Sequence, residues 1–105
     1  MDVFRTKAFD RSARAIGATE EALDALEAAI AANPQAGDVI RGLKGARKIR
    51  FAMAGKGKSG GGRAIYIAVR VKDVAYLLLA YAKSNQAEIS NDQRKAIKAF
   101  IEGLS

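Results

Sequence analysis

At Arg47 the hydrophobic period of the chain changes to two, and this change constrains the fold more than any other feature. Ile49, Phe51 and Met53 point one way and Lys48, Arg50 and Ala52 the other, the mark of a half-buried strand. A second strand is expected over Arg63 to Val71, with Ile65, Ile67, Val69 and Val71 on one face and Tyr66 and Arg70 on the other. Between the two, Gly55 to Gly62 reads as a connection rich in glycine and lysine. A turn at Lys72-Asp73 leads into a third strand, Val74 to Lys83, whose nearly unbroken apolar run predicts a central position with both faces covered. Short connections make these three an antiparallel meander.

Upstream, the helical period dominates. Val3 to Lys7 predicts a short strand, and Phe9, Ala13 and Ile16 a short helix that Gly17 ends. Thr19 offers an N-cap, and Glu20 and Glu21 suit the positive end of a helix dipole. That helix runs to about Asn33 with Leu23, Leu26 and Ile30 on one face, and Pro34 stops it. Residues 34–45, with Gly37, Gly42 and Gly45, read as loop. Ser90-Asn-Asp-Gln93 matches a capping box and opens a last helix with Ile97, Phe100, Ile101 and Leu104 on one face. The expectation is an α+β domain spanning residues 1–105, ordered β-α-α-β-β-β-α. Two helices cover one face of an antiparallel sheet, the other face is more open, and a helix ends the chain. Counting reversals predicts that the first strand runs antiparallel to whichever neighbour it joins.

Charge is distributed unevenly. Residues 1–40 carry four Lys/Arg against seven Asp/Glu, and residues 73–105 carry four of each. Residues 41–72 carry ten Lys/Arg and no acid, which is more than the excess of +7 of the whole chain. Such a concentration attracts polyanions, nucleic acid above all, and acidic protein partners as well.

The chain has no cysteine and no histidine. A disulfide framework and a thiolate metal site are excluded, and so are the usual general base near neutral pH and the commonest transition-metal ligand. Neither a metal nor another cofactor is expected. The segment Met1 to Arg5 lacks the apolar stretch of a signal peptide, and the longest apolar run, Val74 to Ala82, is too short to cross a bilayer. A cytoplasmic protein without membrane contact is expected. Ala52 to Ser59 resembles a relaxed phosphate-binding loop, with Ala52 at the first glycine position. That loop works only before a helix whose N-terminal amides face the phosphates, and here Gly60-Gly61-Gly62 leads into an alternating strand. Nucleotide hydrolysis is therefore not expected.

The basic third offers candidates of two kinds. Lys48 and Arg50 lie on a strand face opposite Ile49 and Phe51, so helices over the Ile49 face leave both on the open surface, held rigidly. Arg63, where the glycine tract becomes strand, suits bidentate phosphate binding, although alternation alone does not fix its facing. Lys44, Arg47, Lys56, Lys58 and Arg70 are candidates for contacts with RNA or the ribosome. Tyr66 and Tyr81 could stack on splayed bases. A solvated basic face and tyrosines packed in the core are the plain alternatives.

Several stretches together resemble a known group: Asn33-Pro34; Gly37 to Ile40; Gly42; Gly45 to Phe51; Gly55 to Gly61; Arg63 to Tyr66; Tyr76 to Lys83; and Ser90 to Ile101. They are similar to the HigB-like branch of the RelE toxin superfamily, over about residues 33–101. The resemblance implies the toxin of a type II toxin–antitoxin pair, an endoribonuclease that cuts mRNA on the ribosome and is held by an antitoxin. It implies catalytic roles for Lys48, Arg50 and Arg63, with Lys83 contributing near the end of the last strand. The tyrosine that some relatives carry near the C-terminus has no counterpart after Lys83, where the chain reads Ser84-Asn85-Gln86, and Tyr66 or Tyr81 would have to replace it. The alternative is a non-catalytic binder, such as the gyrase-inhibiting relatives.

Overall fold

The structure, a computed structural model, describes residues 1–53 and 57–104, and of residues 57–60 the backbone alone. Strand β1 (Asp2–Arg5) is followed by helices α1 (Lys7–Ala15) and α2 (Glu20–Ala32). Then come β2 (Asp38–Val39), β3 (Arg47–Met53), β4 (Gly57–Val69), a single 3-10 turn at Arg70–Lys72, β5 (Val74–Ala82) and α3 (Asn91–Glu102). The strands form one sheet in the order β1-β5-β4-β3-β2.

The caps match their sequence signals. Thr19 accepts a hydrogen bond from the Ala22 amide, and Ser90 and Gln93 complete a capping box at α3. Thr6, not anticipated, caps α1 through the Phe9 amide. Gly17, at φ +74, turns the chain out of α1 in a left-handed conformation that glycine adopts without strain.

Two expectations need correction. β1 runs parallel to β5, with Asp2 opposite Val74 and Arg5 opposite Leu77. The count of reversals missed β2, a two-residue edge strand antiparallel to β3, which turns the chain once more between α2 and the meander. The sheet is therefore mixed. The glycine tract is also not a simple loop, because β4 begins at Gly57, six residues before Arg63. The reason lies across the ladder: Phe51 pairs with Gly62, and a Cβ on Gly62 would meet the Phe51 ring at 2.3 Å. Glycine is what lets the ring lie over the neighbouring backbone.

The sheet carries a core on each face. α1 lies on β5 and α2 on β3, burying Phe9, Leu23, Leu26 and Ile30 against Phe51, Tyr66 and Leu77. The opposite face, expected to be the more open one, is partly covered. There α3 and the 40–46 loop bury Leu43, Ala46 and Ile97 against Ile65, Ile67 and Leu78. Tyr76 stacks on Phe4 at 5.9 Å and meets the edge of Phe100 at 5.6 Å, which seats α3.

β5 contains one irregularity. Leu79 pairs with Ile65 and Leu77 with Tyr66, so Leu78 is an extra residue. Leu78 and Leu79 both pack toward α3, and alternation beyond them is inverted, which turns Tyr81 toward α3. The Ala80 amide on the opposite side donates to Ser12 of α1 at 2.9 Å.

Gly62→Ala should destabilise the protein by about 1–3 kcal/mol, the usual cost of overpacking a dense core. Urea unfolding of both proteins measures the difference, and equal midpoints would show that the Phe51 ring yields freely.

Candidate active site and nucleic-acid interface

Pairing between strands decides which basic residues meet. Arg50 is directly opposite Arg63, and Arg63 is opposite Tyr81. These residues form one row across β3, β4 and β5, with neighbouring strands about 4.8 Å apart. Lys48 is opposite Ile65, in the next row on the same face. This face carries α3 and lies away from α1 and α2. The facing of Arg63, open from the sequence, is thus that of Lys48 and Arg50.

Exposure grades along the row. Arg50 is exposed, Lys48 is half-buried, and Arg63 and Tyr81 retain 6% and 3% of their accessible surface. Arg63 donates from Nη1 to the Gly62 carbonyl at 3.1 Å. A guanidinium held so firmly is pre-aimed, and it presents a planar fork that suits phosphate oxygens. Burial pushes the Tyr81 phenol upward; the Arg63 charge opposes this and the Glu88 charge adds to it. With the net shift upward, Tyr81 keeps its proton at neutral pH and is available as a donor.

Lys83 is exposed just beyond β5, and its amide donates to the Gly61 carbonyl at 3.1 Å, which puts it at the Arg63 end of the sheet. Other predicted residues lie elsewhere. Arg70 is exposed in the turn at the far end of β4, seven residues from Arg63 and roughly 23 Å along the strand. Lys44 sits in the 40–46 loop, with Nζ 3.5 Å from Glu102 of α3. The predicted contacts at Lys56 and at the Lys58 side chain fall outside the described residues.

Tyr66 is corrected to a structural role, in which half-buried Arg47 takes part. They pair across β3 and β4, and Tyr66 is fully buried in the core under the helices. The Tyr66 hydroxyl accepts from the Gly37 amide at 3.0 Å and donates to the Pro34 carbonyl at 2.7 Å. Arg47 donates to the Gly37 carbonyl at 2.7 Å and the Gln35 carbonyl at 3.4 Å. Together they fasten the loop from α2 to β2. A base could not stack on Tyr66 without unpacking the helices. Burial pushes the Tyr66 phenol up, against smaller opposing effects of the Gly37 hydrogen bond and the Arg47 charge.

Beside the cationic row is a cleft of about 330 Å³, which sequence reasoning missed. Asp38, Arg41, Glu88 and Arg94 line it together with Lys48, Ile65 and Tyr81. Its walls come from β2 with Ile40 and Arg41, from Glu88-Ile89 and from α3, segments far apart in the chain that no local period brings together.

The RelE toxin of the RelE/RelB toxin–antitoxin system is the family whose model matches residues 1–104. This chain belongs to the RelE toxin family. The match includes the N-terminal third, where the sequence resemblance was confined to the helix pattern. Solved structures that share the fold include two of E. coli RelE. The isolated E. coli RelE toxin is 22% identical, with a TM-score of 0.58 over 94% of this chain and 97% of that one. A variant of E. coli RelE in the free state, with two arginines replaced by alanine, is 18% identical, with a TM-score of 0.59 over 82% of this chain and 86% of that one. A RelE-family toxin implies an antitoxin partner. Among the described residues, no helix of this toxin is long and apolar enough to cross a membrane.

Tyr66→Phe should cost about 1–3 kcal/mol, because the buried Gly37 amide loses its partner. Affinity of the folded protein for RNA should not change. Weakened binding without any loss of thermal stability would return Tyr66 to the interface.

Proposed function

We propose that this toxin is an endoribonuclease that cuts messenger RNA on the ribosome and thereby stops translation, working in the cytoplasm until an antitoxin neutralises it. The supporting observation is the Arg50–Arg63–Tyr81 row with Lys48 beside it: three cations and a protonated phenol on one rigid sheet face. The motifs shared with the HigB-like branch agree with this reading.

The chemistry suits these residues. RNA supplies its own nucleophile, the 2′-hydroxyl beside the scissile phosphate. Its oxygen bonds to phosphorus, the bond to the 5′-oxygen breaks, and the proton lost at the 2′-oxygen is balanced by one gained at the 5′-oxygen. Negative charge grows on the phosphate oxygens between these events. Arg63 and Arg50 are assigned to that charge, because fixed donors aimed at developing charge need no reorganisation during the reaction. Lys48 is assigned a proton-transfer or electrostatic role, and Lys83 an electrostatic contribution from the end of β5. Tyr81 can donate to a phosphate or leaving oxygen at the inner end of the row.

Expression without an antitoxin should arrest growth, with mapped 5′ ends showing cuts at consistent positions within translated codons. Arrest with intact mRNA and altered DNA topology would favour the gyrase-directed alternative. A programmed ribosome with a 2′-deoxy nucleotide just 5′ of the scissile phosphate should resist cutting, and efficient cleavage of that substrate would sink the mechanism.

Arg63→Ala should bind ribosomes and lose about a hundredfold to a thousandfold in single-turnover cleavage, the usual effect of removing one transition-state donor. Arg63→Lys should recover only part, because it keeps the charge without the planar fork. Thermal unfolding controls for folding. A well-folded Arg63→Ala protein that cuts at the parental rate would remove Arg63 from the catalytic set.

A further inference from the structure

The cleft beside the cationic row has a chemistry of its own. Ile40 and Ile89, both half-buried, give it accessible apolar surface, Ile65 and Tyr81 lie almost fully buried beneath it, and Lys48 lies beside them. One wall is the 38–41 segment; the other is Glu88-Ile89 with Arg94 of α3. The walls are fastened to each other and to the helix. Arg94 donates to the Arg41 carbonyl at 2.8 Å, and the Ile40 amide donates to the Ala46 carbonyl at 2.9 Å. Gln86 donates to the Glu88 carbonyl at 2.8 Å and to Gln93 Oε1 at 2.9 Å. The concavity is therefore formed before any ligand arrives, as small-molecule sites usually are.

Two carboxylates, Asp38 and Glu88, stand in this otherwise cationic surrounding, and among the described residues neither takes part in an ion pair. On a face that attracts phosphates, they oppose backbone binding. An ionised carboxylate accepts hydrogen bonds and donates none, so it reads N–H groups, and nucleobase edges are where RNA carries them. Guanine alone among the four bases presents two adjacent N–H donors, N1 and N2, to both oxygens of one carboxylate. Adenine and cytosine place a ring acceptor beside their amino group, and uracil flanks its single N–H with carbonyls. The far side of guanine offers O6 and N7, which accept from lysine or arginine. Asp38 is paired across the ladder with Lys48, a cation of its own. Glu88 has no such neighbour on its segment, and its charge is felt at the Tyr81 hydroxyl.

We propose that this cleft is a guanine-recognition subsite. Glu88 reads the N1–H and N2–H edge, Ile40 and Ile89 support the base, and Lys48 or Arg94 meets O6 or N7. The subsite rests on the ribonuclease reading and deepens it: the scissile phosphate lies on the Arg50–Arg63 row, and a nearby base drops into the cleft. Glu88 is a specificity residue in this scheme and takes no part in bond breaking.

The test replaces guanine by inosine, which lacks only the 2-amino group, at each position of the A-site codon on programmed ribosomes. Single-turnover cleavage by the parent should fall about tenfold or more at one codon position, since a site built around a donor rejects an analogue without it. In Glu88→Ala and Glu88→Gln the ratio between guanine and inosine should shrink toward unity, with thermal unfolding confirming that both variants are folded. Equal cutting of both codons by the parent, or an undiminished ratio in either variant, overturns the subsite and leaves the ribonuclease reading intact. If the parent cuts no codon at all, that reading fails, and the cleft is judged by binding alone. In that case the Ile65 and Ile89 methyl resonances are followed during titration with guanosine 5′-monophosphate and inosine 5′-monophosphate. Larger shifts with the guanosine nucleotide, lost in Glu88→Gln, support the subsite, and equal or absent shifts overturn it.

Discussion

The register of β3 against β4 is the constraint from which the rest of the molecule follows. It sets Phe51 over Gly62 on one face and Arg50 against Arg63 on the other. Like charges directly opposite each other in a sheet are unfavourable. Arg63 is nearly buried as well, so part of its hydration is lost. The helices on the far face impose the register, because a slip of β3 by one residue would carry Ile49 and Phe51 out of the core and put Lys48 and Arg50 into it. The apolar face therefore sets the spacing of the cationic face, with Arg50 held opposite Arg63.

What the sequence made legible depended on whether a pattern was long enough to have a period. The alternation from Arg47 to Met53 placed Lys48 and Arg50 on the correct side, and the Ser90–Gln93 box marked the start of α3. Of the ten cations between residues 41 and 72, Lys48, Arg50 and Arg63 share one sheet face, whereas Lys44 and Arg70 lie elsewhere. β2 escaped because two residues have no period, and its reversal changed the direction of β1 relative to the meander. Glycine in the 57–62 tract reads as a turn signal, yet at Gly62 it answers the close approach of an aromatic ring across the ladder. Tyr66 could be read from the sequence either as a stacking aromatic or as a packed one. Its environment is fixed by Pro34 and Gly37, about thirty positions away in sequence, and no local rule reports that. The cleft was invisible for the same reason, since Asp38 and Glu88 come to line one cleft only when the sheet forms.

The acidity of the N-terminal third has a structural explanation. Arg5 at the end of β1 is gripped by Glu20, Asp24 and Glu27 along one side of α2. Burial works against the Arg5 charge, but hydrogen bonds and charge from Glu27 and Glu20 outweigh it and raise its pKa. Three of the seven acids in residues 1–40 are thus engaged in fastening α2 to the edge strand. Charge totals by segment cannot separate acids that meet a partner inside the fold from acids that face solvent, and only the latter shape what the surface attracts.

The extra residue at Leu78 has a consequence for comparing this protein with its relatives. It acts as a phase shift in a two-letter code: before it, odd-numbered residues of β5 face the helices, and after it even-numbered ones do. At 18–22% identity, residues at the end of this strand are easily matched by type across a gap of one. Such a match is correct only if the relative carries the same irregularity. Where it does not, the equivalent of Tyr81 faces α1, and the equivalent of a residue near Lys83 belongs one step along the chain. Homology at this strand is therefore a property of sheet faces, to be assigned by which layer a side chain enters, and alignment columns follow from that assignment.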